Sequence, residues 1–343
     1  MRKNSIFFWL VIAGGALTAC NKNQSITYPD FDYQTAYFAT QFPVRTVELG
    51  EDLFVDNSLD NEHKVSIKAT TGGVRENQHD VVLDFAVDAS LCNGLYFTSG
   101  GNKVVPLPSS HYKLASNQIV IPKGSILGGV EMELTDAFFN DPLSIGNNYA
   151  MPFKLTNVKG ADSILRGLPS VSKPNPCIEG NWVVKPRDFI IYAVKYVNQW
   201  HGNYLRRGAD VITGSVNTTV VRHKQYVEND EVNKATTTSL SQVSVPVIFK
   251  NQSGTNITCN LLLTFDKNGT CAISSGTNLV TATGSGSFVK RGEKNSWGSQ
   301  DRDAIYLKYT VDIPAQNMHV QSTDTLVLRD RAVMMETYTP VVQ

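Results

Sequence analysis

The chain has 343 residues, and 31 lysines and arginines are balanced by 31 aspartates and glutamates. Zero net charge leaves no basic field for nucleic acid or an acidic lipid surface, which excludes nucleic acid as a partner and points to neutral polar ligands. The length exceeds what one small core serves, so two domains are expected.

Arg2 and Lys3 precede an apolar run from Ile6 to Leu17, and Leu17-Thr18-Ala19-Cys20 follows. The run is shorter than the roughly 20 apolar residues that span a bilayer, so residues 1–19 read as a cleaved signal peptide. Small residues ahead of a cysteine resemble the bacterial lipobox. That resemblance implies acylation of Cys20, a tether over residues 20–29, and membrane contact through the lipid alone. The expected address is the outer membrane, lipid-anchored and exposed at the cell surface.

From Asp30 onward, Val65 to Ala69, Leu83 to Asp88 and Val130 to Leu134 alternate apolar with polar side chains between glycine and proline turns. Period two with this spacing predicts a β-sandwich over residues 30–165. Thr135 to Phe139 predicts one helical turn, stopped by Asp141-Pro142. Gly167, Pro169, Pro174 and Pro176 mark a linker over 166–180. Longer strands are expected beyond it, at Ser215–Arg222, Thr236–Phe249, Ile257–Phe265, Ala304–Ile313 and Thr325–Arg331. Closure hides the edges of such strands, so residues 181–343 are expected to form an up-and-down antiparallel barrel.

Cys92, Cys177, Cys259 and Cys271 remain beside Cys20. An oxidising compartment would permit bridges, and buried free thiols are an equal alternative. A four-residue turn would set Phe265 opposite Thr270 and Cys271 opposite Thr264, against a Cys259–Cys271 bridge.

Several ordered blocks carry a family resemblance. Tyr28-Pro29-Asp30-Phe31-Asp32, Gln41-Phe42-Pro43-Val44-Arg45-Thr46, Gly72-Gly73-Val74, Val105 to Ser110 and Ile121 to Ser125 resemble the DUF1735 domain of Bacteroidetes lipoproteins. Lys195 to Gly208 resembles the DUF4361 domain that often follows it. The resemblance implies an immunoglobulin-like sandwich followed by a calycin-like barrel, in surface lipoproteins commonly encoded near glycan-uptake systems. Outer-membrane uptake proteins are then candidate partners.

Gly202-Asn203-Tyr204 is similar to the Gly-x-Trp of lipocalins, and Arg329 and Arg331 lie on the last long strand. An arginine stacked on Tyr204 would help to close the barrel through a cation–π contact. Aromatic rings cover the apolar faces of sugars, so Trp297, in the polar run Arg291 to Ser299, is the preferred ligand-binding candidate, with Trp200 and Tyr204 beside it. Catalytic chemistry finds little support. The six histidines show no HExxH, Ser109-Ser110-His111 lacks a nucleophile elbow, and no carboxylate pair is placed for glycoside hydrolysis. No metal or other cofactor is expected. A non-catalytic, surface-anchored glycan-capture protein is the leading expectation. An adhesin or structural lipoprotein binding a protein partner, or a barrel carrying a small apolar molecule, is the alternative.

Overall fold

The structure, a computed structural model, describes residues 30–343. Cys20 and the signal and tether segments lie outside the described residues.

The first domain's principal strands are β1 (Thr35–Tyr37), β2 (Pro43–Glu48), β3 (Lys64–Gly72), β4 (Val81–Val87), β5 (Gln118–Ile121), β6 (Leu127–Leu134), β7 (Tyr149–Lys159) and β8 (Phe189–Val197). They are hydrogen-bonded in the order β1-β3-β6-β5-β4-β7-β8-β2. The path turns over between β5 and β6, which share the pair Val120–Gly129. A side chain on Gly128 would stand 2.0 Å from the Val120 carbonyl oxygen, so the corner requires glycine. Two layers result, and Ile67, Leu83, Met132, Phe153 and Tyr192 from both meet in one apolar core. This is the expected sandwich. The expected helical turn is also present, at Asp136–Asn140, with Phe138 and Phe139 buried in the same core.

Contrary to the expectation of a barrel beginning at residue 181, β8 belongs to the first domain, antiparallel to β7 and parallel to β2. Ile190, Tyr192, Val194 and Tyr196 enter the sandwich core, while Phe189, Ile191 and Ala193 enter a second cluster with Val44, Leu95 and Phe97. A strand buried on both faces carries no polar alternation to reveal its place. The chain's end also returns to this domain. Glu336–Thr337 pairs with β2, Val341–Val342 pairs with Leu95–Tyr96, and the Tyr338 ring packs on Phe42 and Phe97.

The barrel comprises β9 (Gly202–Gly214), β11 (Glu231–Ser239), β12 (Gln242–Lys250), β13 (Asn256–Phe265), β14 (Thr270–Ser275), β15 (Thr281–Glu293), β16 (Arg302–Ile313) and β17 (Met318–Asp330). Each pairs with the next, and β17 closes on β9 from Asn203–Asp330 to Gly214–Met318. Strand β10 (Thr218–Arg222) lies on the far half of β9, beyond the part that pairs with β11. The expected strand Thr236–Phe249 is instead the hairpin β11–β12, turning at Leu240-Ser241 without glycine or proline. Phe265 faces Cys271 and not Thr270, because Asp266 Oδ1 accepts from the amides of Asn268 and Thr270 and widens the turn. Cys92, Cys177, Cys259 and Cys271 are free thiols.

Side chains such as Leu261, Val311, Leu326 and Tyr204 fill the barrel interior, so it is a packed core and not a container for an apolar cargo. Gly284 and Gly286 give Tyr309 and Leu307 room: an added Cβ would meet Tyr309 Cβ and Leu307 Cδ2 at 2.6 Å each. One polar cluster shares this interior. The carboxylate of Asp324 accepts from Arg206 Nε at 3.0 Å, Arg222 Nη2 at 2.6 Å and Tyr309 Oη at 2.7 Å. Arg206 and Asp324 have no exposed side-chain surface. Removing one partner of a buried ionic group strands the others without water. Asp324→Ala should therefore lower unfolding stability by about 3–5 kcal/mol in urea titration; a loss below about 1 kcal/mol would show the cluster to be incidental.

Candidate functional site

The two domains meet where the barrel's last strand ends. Arg331 is 3% exposed and donates from Nε to His201 O at 2.8 Å, from Nη1 to Glu51 O at 3.1 Å, and from Nη2 to Leu49 O at 2.8 Å and Asn198 O at 2.9 Å. It does not stack on Tyr204. The ring of Tyr204 is fully buried, its hydroxyl donates to Trp200 O at 3.0 Å, and Arg329 is half-exposed beside Asp330. The expected Tyr204–arginine closure is thus replaced by backbone pairing of β9 with β17, and Arg331 fastens domains instead. Trp200 is also removed from the ligand candidates. It is 4% exposed and stacked on Phe265 at 4.2 Å. The candidate Tyr204 fails on the same ground, since a ligand reaches neither ring.

The segment after β2 is held against the barrel. Asn57 and Asn61 donate from Nδ2 to Gly50 O, at 2.6 Å and 3.0 Å, and Asn61 Oδ1 accepts from Gly50 N. Gly50 has φ +87° and an added Cβ would lie 2.5 Å from Gln199 Cβ, so both conformation and contact require glycine. Glu51 pairs with Arg291 at 2.5 Å and with Lys290 at 3.4 Å, linking the segment to the end of β15.

Phe54, at the tip of this segment, is 63% exposed. Its ring lies 6.4 Å from that of Trp297, tilted by 31°. Arg302 places its guanidinium carbon 3.7 Å from the Trp297 centroid and 5.4 Å from that of Phe54. Among the described residues this is where cation–π contacts occur. Trp297 is half-buried and donates from Nε1 to Leu328 O at 3.1 Å, which fixes its ring to β17.

Two cavities lie near the aromatic pair. One, of about 690 Å³, lies on the seam and is lined by Asp52, Val55, Asp56, His63, Gln199 and Lys290. The other, of about 420 Å³, is lined by Trp297, Tyr226, Glu228, Glu293, Lys294 and Arg207. Tyr226 is 57% exposed. Of the six non-glycine residues with positive φ among the described residues, Arg291 lies in the irregular end of β15, Asn295 and Ser299 lie in the following loop that carries Trp297, and His63 and Ala332 lie at the seam. Backbone strain concentrated in this way is typical of functional surfaces.

Trp297 is thus the one ligand candidate from the sequence that reaches a cavity. Phe54, Tyr226 and Arg302 escape sequence reading. Phe54 had a usable signal, an apolar Leu53-Phe54-Val55 between acidic residues in a segment without alternation. Ser110, His111 and Asp141 do come together: His111 Nδ1 lies 3.0 Å from Ser110 Oγ and Nε2 lies 3.0 Å from Asp141 Oδ2. Asp141 also accepts from Tyr149 Oη and Leu143 N, and Thr135 Oγ1 donates to Ser110 O. These bonds fasten a short helix to β7, and neither cavity described above includes the trio.

A family model described as a domain of unknown function, DUF5627, matches residues 199–332. An N-terminal domain model of the DUF1735 family matches residues 31–162. A crystal structure of a Bacteroides ovatus protein of unknown function is 49% identical, with a TM-score of 0.88, over 91% of this chain and 100% of that one. The chain belongs to the family of that protein. The C-terminal barrel is a DUF5627 domain, which corrects the expected DUF4361, and it follows a DUF1735-type sandwich. A second structure, from Bacteroides ovatus ATCC 8483, is of a protein to which carbohydrate binding has been ascribed; it is 12% identical over 90% of this chain and 99% of that one, with a TM-score of 0.30. Comparison with curated proteins finds no match.

A titratable group lies behind the DUF5627 seam. Glu48 is 4% exposed, and its Oε1 lies 3.4 Å from Arg331 Nε without a hydrogen bond. Burial pushes its carboxyl up to about 7, against the pull of Arg331 and with Asp52 adding to the rise. The folded state therefore keeps a proton that the unfolded chain loses near 4.5, and stability falls as pH rises from there through about 7. Glu48→Gln should raise unfolding stability by on the order of 1–3 kcal/mol near pH 8 and change it little near pH 4. Equal shifts at both pH values would contradict this.

Proposed function

We propose that the protein is a lipid-anchored, surface-exposed capture protein that binds glycan through the cavity at the end of its DUF5627 barrel. The observation that carries this reading is the presence of Trp297 and the exposed Tyr226 in the lining of one pocket together with Glu228 and Glu293. Aromatic rings cover the C–H faces of a sugar, and carboxylates accept its hydroxyl hydrogens. Zero net charge agrees with a neutral ligand. The Leu17-Thr18-Ala19-Cys20 sequence supports acylation of Cys20 and an outer-membrane address. Binding without turnover is the reading adopted, because the site presents rings and hydrogen-bond acceptors but no nucleophile activated by a base.

A protein partner is the second reading. It is favoured by the small ribbon of Leu168–Pro169 with Trp182–Val184, where Val183 and Leu168 are exposed.

Purified protein starting at Cys20, with that residue replaced by serine to leave it soluble, should be retained on an array of immobilised neutral glycans. Tyr226→Ala, a change on the surface, should weaken retention at least about fivefold, and Trp297→Ala about tenfold or more, in line with roughly 1–1.5 kcal/mol per aromatic contact. No retention across a broad array, or retention indifferent to both changes, would overturn the reading.

A further inference from the structure

The aromatic pair at the seam does not belong to one domain. Phe54 comes from the first domain and Trp297 from the barrel, with their rings 6.4 Å apart. Asp52 and Val55, on either side of Phe54 in sequence, line the larger cavity, and Trp297 lines the smaller. An aromatic ring with 63% of its surface exposed is costly in water and is normally covered or mobile. Here it is exposed and fixed. Asn57 and Asn61 hold the base of its segment, Glu51 ties it to Arg291, and Arg302 braces Phe54 and Trp297 together. Such a preorganised ring binds without first losing rotamer and loop entropy.

We infer that the binding site crosses the domain seam, with Phe54 and Trp297 as one platform for a neutral linear oligosaccharide whose ends lie in the two cavities. The inference rests on the glycan reading above and adds length and charge to it.

The charge follows from which groups are already paired. Lys290 is engaged by Glu51, Lys294 by Asp301 at 2.9 Å, and Arg207 by Asp230 at 2.6 Å. The carboxylates left with free acceptor capacity are Asp52 and Asp56 in the seam cavity and Glu228 and Glu293 in the barrel-end cavity. Against these four carboxylates stand two guanidiniums, Arg207, whose buried Nη2 has no partner, and Arg302 against the rings, so acceptors predominate along the path. Hydroxyl donors suit it, and uronic acids are repelled. The length follows from geometry, because a disaccharide fills one cavity while a longer chain reaches the other across the rings.

The test is calorimetric titration of the full chain lacking residues 1–19, with Cys20→Ser, using neutral di- and hexasaccharides of glucose, xylose and mannose, and hexagalacturonate. For the sugar that binds, the hexasaccharide should bind at least tenfold tighter than the disaccharide and at least tenfold tighter than hexagalacturonate. In Phe54→Ala that length preference should collapse towards one, and Phe54→Trp should restore it, which separates loss of the ring from loss of fold. If hexa- and disaccharide bind equally to the native chain, or if Phe54→Ala keeps the preference, the seam-crossing site is wrong while the barrel-end glycan reading stands. If hexagalacturonate binds as tightly as the neutral chains, the charge argument is wrong. If no saccharide binds at any length, the glycan reading and this inference fall together.

Discussion

One buried guanidinium organises the domain seam. Arg331 offers five N–H donors in a rigid plane, and four of its contacts end on carbonyl oxygens: two in the segment after β2, one at Asn198 and one at His201. Carbonyls at strand ends are orphaned when a strand stops, and burying them without donors is expensive. Arg331 satisfies them from both domains at once, so the position of either domain sets that of the other. A lysine ammonium could not span the same set in one plane.

The rest of the seam is built around that constraint. The chain crosses it twice, from β8 through Asn198 and Gln199 into β9 and from β17 back to the strands that cover the first sheet, and the Gly50–Asn57 segment lies against it from the first domain's side. Asn198 donates to Ser239 O and Gln242 O, gripping the β11–β12 turn from the first domain's side. His201 Nδ1 accepts from the Thr237 amide, and burial, with Lys234 and Arg331 nearby, pushes its imidazole down to about 3, so the ring stays neutral inside the contact. The first domain thus presents Phe54 at a fixed height beside Trp297. A platform made of two domains costs nothing extra to assemble when the domains are already locked.

Much of the fold was legible from residue pattern. In β16, Ile305, Leu307, Tyr309 and Val311 alternate with polar positions, and they point into the barrel as expected. β3, β4 and β6 follow the same rule in the sandwich. What escaped has physical causes. β8 is apolar on both faces, so its sequence fits a barrel strand as well as a sandwich strand. The β11–β12 turn carries no glycine or proline, so the alternation runs on through it. Arg331 lies just past the end of the last barrel strand, two residues after Arg329, and only tertiary placement distinguishes a buried donor from a solvated one. Trp297 stood out because its surroundings lack any period; Phe54 obeys the same logic, but its importance depends on a neighbour some 240 positions away, which composition cannot reveal.

The account depends most on the locking of two domains by one arginine, and calorimetric unfolding addresses that directly. The intact chain should melt in a single transition, with sandwich and barrel unfolding together, and Arg331→Met should split it into two resolved transitions. Two separate transitions already present in the native chain, or one unaltered transition in the variant, would contradict the central claim.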